Sequence, residues 1–115
     1  MPIQDNSINY IEFPATGMEK TKQFYSAAFG WTFVDYGPTY VSFSGAGVDG
    51  GFTLNAKASG STGVLVVLYH HDLEEIELKV KVLGCEVVKP IFSFPGGRRL
   101  HFADPNGNEL AIWSE

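Results

Sequence analysis

The sequence predicts an α+β fold made of two βαβββ units in tandem. Short runs with an apolar residue at every second position alternate with two stretches whose apolar residues recur at helical spacing. Each helical stretch ends on a glycine, Gly30 and Gly84, and these stops lie 54 residues apart (84 − 30). That offset superposes Tyr10 on Val64 and Phe33-Val34 on Val87-Val88, although it does not extend cleanly into the last strands of each half. In such a unit the helix covers one face of the sheet. The other face stays open, and it must be covered by something else or serve as a cleft.

The elements follow in order. "INYIEF", residues 8–13, alternates as a strand. In "TGMEKTKQFYSAAFG", Thr16 and Glu19 have the spacing of a capping box, and Thr21, Phe24, Tyr25 and Ala28 form the buried stripe of a helix of about three turns. "WTFVDYG" and "TYVSFS" are strands joined by a turn at Gly37-Pro38, and "GFTLN", 51–55, is a short fourth strand. The first unit therefore spans 7–55, and the polar stretch "AKASGSTG", 56–63, reads as an exposed linker.

The second unit, 64–114, repeats the order. "VLVVLY", 64–69, is an almost wholly apolar strand. Asp72 caps a helix, with Glu75 three residues on, and Leu73, Ile76, Val80 and Leu83 make its buried stripe. Acidic Glu74, Glu75 and Glu77 sit early and Lys79 and Lys81 late, as the helix dipole favours. "CEVV", "RRLHFA" and "NELAIW" supply three more strands, the last two joined by the turn residues Asp104, Pro105, Asn106 and Gly107.

Composition narrows the function classes. A chain of 115 residues suits one domain, 1–115, and at that size roughly 65% of the unfolded surface is buried, enough to fold without a metal or disulfide. A net charge of −5 argues against a nucleic-acid partner, whose phosphates are held by Lys and Arg. It permits a cationic ligand, and it also serves simply to keep a protein dispersed. Cys85 is the only cysteine, so no internal disulfide forms; it lies in an apolar run without a nearby His or Arg and is expected in the core. "MPIQDNSI" lacks the basic and apolar regions of a signal peptide, and no apolar run approaches the roughly 20 residues of a membrane span. The expected setting is cytoplasmic, with no membrane partner.

Two segments carry a family likeness. "FYSAAFGW", Phe24 to Trp31, resembles the helix end of the vicinal oxygen chelate superfamily, and "DPNGNELAIW", Asp104 to Trp113, resembles the turn before its final strand. That superfamily includes glyoxalase I, bleomycin- and fosfomycin-resistance proteins and extradiol dioxygenases. The resemblance covers about residues 7 to 114. It implies an open U-shaped mixed sheet around a cleft with the helices on the outer face, and pairing of two chains as a homodimer. In metal-dependent members, it further implies four side chains, typically His, Glu or Gln, that hold a divalent ion in each cleft.

Carried over position by position, those ligands fall on Tyr10, on one of residues 51–53, on Val64 or Leu65, and on Ala111. None of the positions that can be fixed bears His, Glu, Gln or Asp. A register slip of two keeps a strand residue on the same face, which brings in Glu12 and Glu109. The third strand still offers no donor, since Val64 to Leu68 is wholly apolar, and His70 and His71 lie roughly 20 Å further along it. The expectation is therefore no metal and no cofactor.

Strand alternation selects the remaining cleft candidates. With Leu110, Ile112, Leu100 and Phe102 toward the helix, Glu109, Trp113, Arg99 and His101 face the other way, beside Tyr10 and Glu12 from the first strand. Aromatic walls with a few polar groups are the usual lining of a ligand cleft. Plainer roles stand beside this one. Tyr10 and Trp113 also suit packing at a dimer seam or chain end, and Arg99 and His101 a solvated strand face. "GAGVDG", 45–50, matches a nucleotide-loop pattern, but a strand rather than a helix follows it. The leading expectation is a glyoxalase/bleomycin-resistance-like homodimer that binds an unidentified small molecule through Tyr10, Glu12, Arg99, His101, Glu109 and Trp113 without a family-type metal. The alternative is a divalent-metal-dependent lyase, transferase or dioxygenase with an altered ligand set around Glu12 and Glu109.

Overall fold

A computed structural model describes residues 5–6, 8–60 and 62–115. The reading of the first residues as lacking a signal peptide, the first unit's starting residue Ser7, and Ser61 of the expected linker fall largely or wholly outside the described residues. Two compact units emerge, the first ending at Lys57 and the second beginning at Ala58. Together they hold two helices and eight strands among the described residues, in the order β1 (Tyr10–Pro14), α1 (Met18–Phe29), β2 (Thr32–Asp35), β3 (Tyr40–Ser44), β4 (Asp49–Thr53), then β5 (Val66–Tyr69), α2 (Leu73–Val82), β6 (Val87–Phe94), β7 (Gly97–Ala103) and β8 (Glu109–Ser114). This is the duplicated βαβββ pattern of an α+β protein.

Each unit has one four-stranded mixed sheet, ordered β1-β4-β3-β2 in the first and β5-β8-β7-β6 in the second. The first and last strands of each unit pair in parallel, Tyr10 beside Asp49 and Val66 beside Leu110, and the other pairings are antiparallel.

The two cores differ in chemistry. Unit one packs aromatics: fully buried Tyr25 of α1 stacks on Trp31 at 4.7 Å, and Phe13 on Phe52 at 5.2 Å. Trp31 also stacks on Phe43 at 4.7 Å. Unit two is mainly aliphatic, with Leu73, Ile76 and Val80 of α2 buried on the same side as Leu100, Phe102, Leu110 and Ile112.

The helices begin differently. Asp72 caps α2 as expected, its carboxylate accepting the Glu75 N–H at 3.1 Å. The capping box expected for α1 does not form: the N-cap is Gly17, with no side-chain bond, and Met18 is the first helical residue. Thr21 instead turns its hydroxyl inward to the Gly17 carbonyl at 2.6 Å. The helix stops hold, with Gly30 and Gly84 both in left-handed conformation, φ 74° and 88°. Leu83 is not part of the buried stripe; it terminates α2 and is exposed.

Strand boundaries shift at three places. The fourth strand runs Asp49–Thr53 rather than 51–55, because Thr53 is the last residue to pair with both neighbours. The fifth starts at Val66 rather than 64, and Val64 is 92% exposed. The sixth extends far beyond "CEVV" to Phe94, along a sheet edge where Pro90 lacks a donor without breaking the ladder. Its register slips between Val87 and Lys89 and again between Lys89 and Phe92.

Candidate functional site

Consecutive glycines in β4 serve the two faces of the first sheet. A side chain at Gly50 would collide with the Ile11 carbonyl and the Phe43 ring, so its absence lets the aromatic core close. At Gly51 the space is taken from the opposite side, by the hydroxyl ends of Tyr40 and Tyr10. Those hydroxyls hydrogen-bond to each other, and Tyr40 donates onward to Glu12 at 2.9 Å. Since Tyr40 gives its hydrogen to Glu12, it accepts from Tyr10, and the three form a directed chain on the helix-free face. Burial, then the bonds to Tyr10 and Glu12, push the Tyr40 phenol well above its ordinary range. Tyr10 remains 46% exposed. Tyr10 and Glu12 thus share one face, as alternation predicted, and Tyr40 joins them.

The open face of the second sheet is organised as two cross-strand rows. One runs Phe92, Arg99, Trp113, Tyr69 across β6, β7, β8 and β5. The Arg99 guanidinium lies 5.4 Å from the Phe92 ring centre and 5.5 Å from that of Phe94, and Tyr69 meets Trp113 edge-on at 5.3 Å. The next row runs Lys89, His101, Ala111, Val67. His101 is not on a solvated strand face: it is 3% exposed, and its Nδ1 lies 2.9 Å from Glu109 Oε2. Arg99 and Arg98, adjacent in sequence, part company. Arg98 forms a two-pronged ion pair with Glu74 of α2 at 2.7 and 3.2 Å, holding that carboxyl below the usual carboxylate range.

Beside the His101–Glu109 pair lies a pocket of about 340 Å³, bounded also by Val64, Leu65, Val88 and Lys89. Two buried nitrogens on this face have no hydrogen-bond partner among the described residues, Arg99 Nε and His101 Nε2.

A metal centre of the four-donor kind does not fit these side chains. The positions carried over from such donors hold Tyr10, one of Gly51, Phe52 and Thr53, Val64 or Leu65, and Ala111. Glu12 and Glu109, the neighbours within reach by register, are engaged by Tyr40 and His101. Among the described residues, no three His, Cys, Asp or Glu side chains gather as a metal-binding group. His70 and His71 stack on each other, and His70 Nδ1 accepts the Asp72 N–H at 3.0 Å, so they flank the start of α2.

Other sequence signals resolve into structure. Asp104 organises its turn by accepting the Asn106 and Asn108 N–H groups at 2.9 and 2.8 Å. "GAGVDG" leads into β4, a strand. Cys85 is half-buried rather than deep in the core, and burial, helped by the charge of Asp104, pushes its thiol up to about 11. The sequence reading missed Tyr40, Tyr69, Lys89, Phe92 and Phe94. Alternation along β3 and β5 would have found the two tyrosines. The β6 residues carried no such signal, because Pro90 and two register slips break the period. No described helix is long and apolar enough to cross a membrane.

Comparison with known proteins places these features in context. Residues 7–112 match the sequence pattern of the Glyoxalase/Bleomycin resistance protein/Dioxygenase superfamily. No curated protein matches the chain. Among solved structures, the fold is similar to that of a glyoxalase-related enzyme from Fulvimarina pelagi, with TM-score 0.78 and 19% identity over 96% of this chain and 88% of that one. It is similar to a lactoylglutathione lyase from Agrobacterium tumefaciens, with TM-score 0.72 and 17% identity over 95% and 93% of the two chains. It is also similar to the antibiotic binding protein TnmS3 from Streptomyces sp. CB03234, with TM-score 0.71 and 22% identity over 99% and 98%.

Proposed function

The chain belongs to the Glyoxalase/Bleomycin resistance protein/Dioxygenase superfamily, and from that premise we propose that it binds a small molecule over the open face of its second sheet, as a homodimer and without a family-type metal centre. The observation that carries this reading is the state of the carboxylates. Glu12 already accepts from Tyr40 and Glu109 is already paired with His101, so neither face presents a set of free, converging anionic donors. What the second face does present is aromatic surface at Trp113 and Tyr69, a guanidinium framed by phenyl rings, and a pocket. Such a surface holds a planar or partly apolar ligand by burial and fixes it with a few polar contacts. The antibiotic binding protein of similar fold makes a binding role without chemistry a natural comparison.

The test joins metal analysis to ligand titration. Purified protein is expected to contain no stoichiometric Ni, Zn, Mn or Fe. A compound screen read by tryptophan fluorescence is expected to give saturable quenching, unaffected by chelator and lost on Trp113→Ala. Stoichiometric metal that disappears in the double variant Glu12→Gln, Glu109→Gln replaces this reading with the metal-dependent lyase, transferase or dioxygenase.

A further inference from the structure

Deepening that reading, on which it rests, we propose that the pocket beside His101 and Glu109 takes a hydroxyl-bearing organic anion. The ligand donates its O–H to His101 Nε2 and sets its negative charge against Lys89.

Three observations converge on this ligand class. The first is an acceptor without a donor. Where Glu109 is ionised and the imidazole neutral, the hydrogen of their 2.9 Å bond sits on His101 Nδ1 and Nε2 is a bare lone pair. That nitrogen is buried and has no partner among the described residues. A buried acceptor left without a donor is costly, and a ligand hydroxyl supplies one. The second is a cation without an anion. Lys89 is the cross-strand neighbour of His101, lines the same pocket, and forms no ion pair among the described residues. Glu109, the carboxylate that lines the same pocket, is held by the imidazole, which leaves the ammonium for an incoming charge. The third is room. The pocket of about 340 Å³ falls within the range of small-ligand sites, and Val64, Leu65 and Val88 give it an apolar wall. A compact body carrying one hydroxyl and one carboxylate satisfies all three. A neutral hydrocarbon leaves both Nε2 and Lys89 unmet, and a bare carboxylate leaves Nε2 unmet.

The experiment compares 3-hydroxybenzoate with benzoate by calorimetric titration of the wild type, His101→Phe and Lys89→Met, in mildly alkaline buffer. The hydroxylated acid is expected to bind about tenfold or more tightly than benzoate, a difference that His101→Phe erases and Lys89→Met preserves while weakening both acids. Nitrogen-15 NMR of the ligand-free wild type, which needs no variant to fold, is expected to show the proton of His101 on Nδ1. On addition of 3-hydroxybenzoate, the Nε2 resonance is expected to shift. Equal affinity for the two acids, an unchanged advantage in His101→Phe, or a proton on Nε2 of the free protein overturns the assignment. If 3-hydroxybenzoate fails to bind while another compound still quenches Trp113, the pocket assignment falls and the proposed function stands. If nothing quenches Trp113 either, both fall.

Discussion

At the scale of single residues, most of the open-face chemistry comes down to which groups are already spoken for. Cys85 is a case with a plain readout. Its thiol, pushed up to about 11, carries about a hundred-fold less thiolate at mildly alkaline pH than one at its ordinary value of 9.0. Ellman's reagent is therefore expected to label the folded protein far more slowly than the urea-unfolded chain. The sign follows for stability. The thiol is neutral in both states well below pH 9, so it adds no pH dependence there; as pH rises from about 9 toward 11 the unfolded chain ionises first, and stability falls. Gly50 offers a second test. Gly50→Ala drives a methyl into the Ile11 carbonyl, which is backbone and cannot swing away. An expected cost of about 1–3 kcal/mol lowers the thermal midpoint by roughly 4–12 °C. A midpoint within a degree of wild type shows that β1 and β4 separate freely at that point.

At the scale of elements, legibility followed periodicity. The stripe Thr21, Phe24, Tyr25, Ala28 is the buried face of α1, and Leu100, Phe102, Leu110 and Ile112 are all at 0% exposure. Their spacing alone announced this, because a 3.6-residue or 2-residue period is imposed by the backbone itself. What spacing could not announce were pairings fixed by tertiary contact. Thr16 and Glu19 had the right separation for a cap, yet the chain enters α1 through Gly17. Alternation puts His101 and Glu109 on one face of the strands, but their bond depends on the diagonal offset between β7 and β8, where His101 pairs with Ala111 and Ala103 with Glu109. Strand β6 was largely invisible for the opposite reason, since its slipped register erases the period. The cap of α2 is measurable. Asp72→Ala is expected to cost about 1 kcal/mol in urea denaturation. A cost near zero shows that the bond to Glu75 does not hold the helix start.

At the scale of the whole molecule, both sheets leave apolar side chains uncovered. Tyr10 and Val34 in unit one, and Val67 and Tyr69 in unit two, are each more than 40% exposed. Apolar side chains left uncovered on a sheet favour association when they fall within one patch. Light scattering after size exclusion is accordingly expected to give twice the chain mass, and Tyr69→Lys to shift the population toward single chains. A monomer at every concentration tested removes the homodimer from the proposal.

The parallel seam of each sheet has a kinetic consequence. Tyr10 finds Asp49, and Val66 finds Leu110, only after the intervening helix and hairpins have brought distant stretches of chain together. Closing that seam is therefore expected to be the slow event in each half, with refolding slower than that of helical bundles, whose contacts are local. Amide protons along β4 and β8, each flanked by a strand on both sides, should be the last to trade for deuterium, and those of β1 and β5 among the first of the paired strands to do so.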